Sequence, residues 1–228
     1  MSRSSDVLLA LVILLAGKSN AQTEPGNNSA SPADALSGAA VGEEGSIENI
    51  EKNATQGDPI AQWGLGIRYR DGRGVNQDYR QAFTWFMKSA VSGLSLAQTQ
   101  VAYAYEFGRG TPQNYALEAY WDEKAARQGD PEGALNIGIA YEVGEGVPKD
   151  LVLAHAWLNI AAAQGNDDVF AKAARIGRDK IATELNDAQL REAQVIATRW
   201  GVGHGIERLT RHETKRPARA YRRPRIQM

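Results

Sequence analysis

DPIAQWGLGIRYRDGRGVNQDYRQAFTWFMKSAVSG, residues 58 to 93, is the first of three copies of a 36-residue unit that run to Gly165 without insertion. Stacking the copies aligns Leu65 with Val101 and Ile137, and Tyr69 with Tyr105 and Tyr141. The glycine pairs Gly72/Gly74, Gly108/Gly110 and Gly144/Gly146 coincide, as do Trp85, Trp121 and Trp157. Ala90, Ala126 and Ala162 follow, then Gly93, Gly129 and Gly165. A period of this length, holding two helical patterns and two glycine stops, predicts helical units that bury their apolar faces on their neighbours.

Within one unit the helix signals are physical. Asp58-Pro59 and Asp130-Pro131 put a capping carboxylate before a proline whose missing N–H costs nothing at a helix start. Ala61, Leu65 and Tyr69 fall at i, i+4 and i+8, one helix face, and Gly66 beside them lets a neighbouring helix come close. Gly138 repeats this feature and Ala102 is its small substitute. Gly72 marks the end of the helix, because glycine takes the left-handed conformation that closes helices. Asp78, Asn114 and Asp150 are the expected caps of the second helices. Ala82, Trp85, Phe86 and Ala90 form a helical stripe, with the indoles as core anchors.

The G-x-G pairs invite comparison with phosphate-cradling loops. Those loops follow a strand and open a helix, whereas these link two helices in every copy, so they are turns.

The run Ala61-x-x-x-Leu65-Gly66-x-x-Tyr69-x-x-Gly72-x-Gly74, continuing through Asp78, Ala82, Trp85-Phe86, Lys88-Ser89-Ala90 and Gly93, resembles the Sel-one-like repeat (SLR) family, longer-period relatives of tetratricopeptide repeats. The resemblance covers residues 47 to 165. It implies an all-α fold, a right-handed alpha-alpha superhelical solenoid of paired antiparallel helices used as an adaptor, often in bacterial envelopes, and it implies no single activity. The second copy departs most, with Thr111-Pro112 in place of the valine, Glu118 where Ala82 stands and Asp122 where Phe86 stands. Its second helix is expected to pack less deeply or to shift by one residue, with Ala119 filling in.

Outside the copies, residues 46–57 read as an N-terminal capping helix and 166–200 as a closing helix pair. In the latter, Asn186-x-x-Gln189 fits a capping box and Leu190, Ala193, Ala197 and Trp200 line one side. Residues 1–21 read as a secretory signal: Val7 to Gly17 is an apolar run of eleven, too short for a bilayer, and small residues Ser19 and Ala21 place cleavage before Gln22. A periplasmic or secreted location follows as an expectation. Residues 22–45 are a Gly/Ser/Ala/Asn/Pro linker.

Residues 201–228 hold eight Lys and Arg against two acids, +6, which leaves −7 on the rest of a chain of net charge −1. This segment reads as a solvated tail. Its sharper reading is attachment to an anionic envelope surface through Arg222, Arg223 and Arg225. Nucleic acid is not an expected partner of an exported chain.

Chemistry is sparse. With no cysteine there is no thiol nucleophile and no disulfide framework. The hydrolase signatures S-x-x-K, G-x-S-x-G and H-E-x-x-H are missing, and three scattered histidines make no metal set. No cofactor or metal is expected. Glu106 and Glu142, equivalent acids, are the one candidate pair for a cell-wall hydrolase.

A binding surface is the better supported expectation. By analogy with tetratricopeptide packing, one side of the first helices carries Trp63, Ile67, Arg70, Tyr103, Glu106, Phe107, Ile139 and Glu142. These suit a concave groove for a peptide or helix, with Trp63, Tyr103 and Phe107 as anchors. The alternative is that this side is buried against adjacent helices.

Overall fold

A computed structural model describes residues 47–164 and 169–201. The signal segment 1–21, the linker 22–45, Gly165 and the basic segment with Arg222, Arg223 and Arg225 lie outside them. Among the described residues there are nine helices and no strand. They are α1 Ile47–Thr55, α2 Pro59–Asp71, α3 Tyr79–Val91, α4 Ser95–Phe107 and α5 Tyr115–Ala126, then α6 Pro131–Val143, α7 Leu151–Gln164, α8 Val169–Ala182 and α9 Asp187–Gly201. The chain divides into two compact units that separate at residues 125 and 126.

In the first unit α2 packs on α1 and α3, and α3 packs on α4. The caps set the helix ends. Asp58 accepts from the Ile60 N–H, and Asp78 accepts from the Arg80 and Gln81 N–H groups. Leu94 precedes α4 at the N-cap position and makes no side-chain cap hydrogen bond. Gly72 and Gly108 close α2 and α4 at φ 72° and 65°, in the left-handed region, their N–H groups donating to the Arg68 and Ala104 carbonyls. Each following loop is tied back in the same way: the Asp78 N–H donates to the Tyr69 carbonyl and the Asn114 N–H to the Tyr105 carbonyl, both at 2.9 Å.

Two buried glutamines lie one period apart. Gln62 Nε2 donates to the Ala54 carbonyl and Gln98 Nε2 to the Ala90 carbonyl, each at 3.1 Å. In both cases the carbonyl belongs to the last turn of the preceding helix and also accepts from a backbone N–H, that of Gly57 or of Gly93 at 3.1 Å, so the glutamine adds a second bond to an acceptor with two lone pairs. Ile50, Ala54, Ala61 and Leu65 form a core cluster, with Ile47, Tyr69 and the half-buried Trp85 packed against it.

Gly66 explains the close approach of α2 and α3: a Cβ there would lie 2.6 Å from the Phe86 ring. Copy three matches it, because a Cβ on Gly138 would lie 2.9 Å from Leu158 Cγ. In copy two the equivalent residues are Ala102 and Asp122, so the larger residue on the first helix accompanies the smaller one on the second. The expectation that the second helix of copy two packs less deeply is corrected. Asp122 and Trp121 are each 1% exposed, and Ala119 is buried as the filler. Asp122 is not without a partner within the protein, in keeping with the cost of burying an acidic side chain alone.

In the second unit α7 packs on α6, α8 and α9. Asp130 caps α6 through the Gly133 N–H, and Gly144 closes it at φ 81°. Asp150 accepts from the Val152 and Leu153 N–H groups at the start of α7. The capping box of α9 is reciprocal, with the Asn186 N–H on Gln189 Oε1 and the Gln189 N–H on Asn186 Oδ1, both at 3.0 Å. Ala193 and Ala197 are buried on its inner side.

Candidate functional site

The turn after α4 is fixed from both sides. The Arg109 N–H donates to the Ala104 carbonyl at 3.0 Å, as Arg73 does to Arg68 and Glu145 to Ala140 in the other copies. Gly110 then rests on the preceding copy so closely that a Cβ would lie 2.0 Å from the Tyr79 carbonyl oxygen. With φ at 81° and no room for a side chain, only glycine fits there.

This held backbone directs Arg109 into aromatic surroundings. Its guanidinium carbon lies 5.5 Å from the Tyr79 ring centre, 5.1 Å from Tyr103 and 5.7 Å from Phe107. Tyr103 and Phe107 pack on one another at 4.5 Å, yet they remain 37% and 44% exposed. Beside them lies a small cleft of about 10 Å³, lined by Arg70, Tyr79, Phe83, Gln100, Tyr103 and Arg109 among others. Arg70 donates to Asp71 at 2.7 and 3.1 Å and to Gln100 Oε1 at 2.7 Å. The Arg70 hydrogen bond holds the Asp71 carboxyl below its ordinary pKa.

Of the residues proposed from sequence, Arg70, Tyr103 and Phe107 meet at this cleft or its edge. Trp63 and Ile67 do not present themselves for docking: they are 6% and 7% exposed. Residues Ala61 to Ile67 are all buried, because α2 has neighbours on more than one side. This corrects Trp63 as a docking anchor and Ile67 as a groove residue. Glu142 is likewise buried, with Oε1 held by Lys180 Nζ at 2.8 Å, so it is committed to an ion pair rather than offered to a partner. Glu106 and Ile139 are half-buried, and Glu106 is already engaged within the protein. Among the described residues no group of His, Cys, Asp and Glu could hold a metal ion.

Sequence reasoning missed Arg109, Tyr79 and Gln100. The available signal was the exchange of Asp71 in copy one for Phe107 in copy two, beside the equivalent arginines Arg73 and Arg109.

A model of the Sel1 repeat matches residues 59–93, 95–130 and 131–166. Among solved structures, a Sel1 repeat protein from Oxalobacter formigenes is 38% identical with a TM-score of 0.53, over 58% of this chain and 97% of the other. A second, c5321, is described as a protective antigen of uropathogenic Escherichia coli strains with an SLR fold. It is 24% identical with a TM-score of 0.62, over 98% of this chain and 51% of its own length, and supports the fold alone. No match is found among curated protein sequences. Sel1 repeat proteins are typically non-enzymatic scaffolds that bind protein partners. With three consecutive matches to the repeat and the Oxalobacter relative covered almost end to end, the chain belongs to the Sel1 repeat family and has its all-α helical-repeat fold.

Proposed function

We propose that this chain is an exported interaction scaffold of a bacterial envelope, binding a protein partner at the Tyr103/Phe107 cleft. One observation carries the binding site: two large rings, 37% and 44% exposed, stand side by side next to a cleft and a cation. Aromatic and arginine groups of this kind supply much of the energy at protein interfaces. Export rests on the apolar run Val7 to Gly17 and the small residues before Gln22.

The test captures partners from the envelope fraction with full-length tagged protein, then repeats the capture with Tyr103→Ala and Phe107→Ala combined. A partner lost from the double variant, with helical circular dichroism unchanged, supports the reading. Unchanged capture removes this cleft. Protease accessibility of the protein in intact spheroplasts tests export separately.

The segregated charge of residues 201–228 favours a second contact, with Arg222, Arg223 and Arg225 meeting an anionic envelope surface. Salt-sensitive binding to vesicles containing phosphatidylglycerol, lost on truncation after Trp200, is the expected result. Binding that survives truncation or high salt overturns it.

A further inference from the structure

Copies one and two share the arginine that follows the first-helix glycine, but they differ in what faces it. In copy one Arg73 Nη2 pairs with Asp71 Oδ2 at 3.3 Å. One period later Arg109 takes the place of Arg73 and Phe107 the place of Asp71. The carboxylate has been exchanged for a ring. Arg109 therefore keeps its charge among three aromatic rings, with no hydrogen bond or ion pair to its guanidinium among the described residues.

Building on the scaffold reading, we propose that the Arg109 cleft binds an aspartate or glutamate side chain within an extended segment of a partner protein, whose adjacent apolar side chain covers Phe107. The partner supplies from outside the carboxylate that Asp71 supplies in copy one.

Four features favour this ligand. The backbone that carries the guanidinium is held, since the Arg109 N–H is bonded to Ala104 and the next residue is wedged on Tyr79, so no loop ordering is spent on binding. One guanidinium fork matches one carboxylate through two parallel hydrogen bonds. The other guanidinium of the cleft, Arg70, is committed to Asp71 and Gln100, so among the described residues lining the cleft one uncommitted cation is left, rather than the several donors that a phosphate gathers. The rings stack on the guanidinium without neutralising it, and Phe107 offers apolar surface beside the charge.

The experiment titrates full-length protein into two dye-labelled, end-blocked nonapeptides, one with a glutamate between two leucines and one with glutamine there. The glutamate peptide is expected to bind at least about tenfold more tightly, the scale of one charge-assisted contact. Arg109→Gln is expected to abolish that preference. Phe107→Asp is expected to do the same by rebuilding the internal pair of copy one, and circular dichroism confirms that both variants fold. Equal binding of the two peptides overturns the proposal, and so does a preference that survives both substitutions. Binding only of a third peptide, the glutamine sequence with its C-terminus left free, or displacement by millimolar inorganic phosphate, overturns it in favour of a chain end or a phosphate group. If partner capture still depends on Tyr103 and Phe107 while no glutamate preference exists, the scaffold reading stands and the acidic specificity alone falls.

Discussion

The indole of Trp200 meets that of Trp157 edge-on, with ring centres 4.5 Å apart and planes at 66°. The equivalent indoles of the earlier copies are covered differently: Lys88 Nζ lies 3.8 Å from the Trp85 ring centre and Lys124 Nζ 4.9 Å from that of Trp121. Three residues after Trp157 the lysine is replaced by Ile160, and the last turn of α9 brings Trp200 to the ring instead. The final copy is thus closed by an aromatic contact in place of a cation. Trp200→Ala is expected to lower stability by about 2 kcal/mol, from lost burial and the edge-to-face pair. Urea denaturation followed by circular dichroism checks it; a loss below about 0.5 kcal/mol contradicts the closing role.

Gly110 and Gly93 both have positive φ, 81° and 101°, but only one is crowded. A Cβ on Gly110 meets the Tyr79 carbonyl oxygen at 2.0 Å, while one on Gly93 meets nothing within 4 Å. Gly93→Ala is expected to cost about 1–2 kcal/mol from the left-handed backbone alone. Gly110→Ala adds a backbone collision and is expected to cost roughly 3 kcal/mol or more. Thermal denaturation of the two variants, run together, tests the ranking.

The pair Glu142 and Lys180 is asymmetric, with side-chain exposures of 8% and 41%. Removing the lysine strands a buried carboxylate, whereas removing the acid leaves an ammonium that reaches water. Lys180→Met is therefore expected to destabilise more than Glu142→Gln: about 2 kcal/mol against about 1 or less, since the half-exposed lysine screens the interaction. Urea midpoints in which Glu142→Gln is the worse variant refute this account.

His155 provides a pH signature. Burial lowers its pKa, and the nearby Arg178 charge lowers it further, against a smaller opposing effect of Asp179. Its folded pKa thus lies below the value of about 6.5 that the unfolded chain has. The unfolded state then binds the proton first, so the contribution of His155 to stability is present above about pH 6.5 and is lost as pH falls toward the folded pKa. Denaturation midpoints at pH 7.5 and 5.5 are expected to differ less in His155→Gln than in the parent.

Much of the fold was legible because its signals are local. Asp58, Asp78, Asn114, Asp130 and Asp150 cap helices by reaching the next few N–H groups, and Gly72, Gly108 and Gly144 close them through their own backbone. Neither requires knowledge of the rest of the molecule. The open side of the first helices was not legible. Seven consecutive buried residues in α2 carry no periodic contrast between inside and outside, so Trp63 and Tyr103 looked alike as anchors although only Tyr103 is exposed. Arg109 was hidden for another reason: its surroundings include Tyr79, thirty positions earlier, and only tertiary packing brings the two together.

The reciprocal sizes at 66 and 86, 102 and 122, and 138 and 158 constrain how such an array can be inherited or engineered. A hybrid that joins the Ala102 helix to the Phe86 helix puts a methyl group where the ring already lies within 2.6 Å, so half-copies are not interchangeable. The smallest piece that can be duplicated or transplanted intact is a whole hairpin, and crossovers between copies are tolerated only in the turns that separate one hairpin from the next.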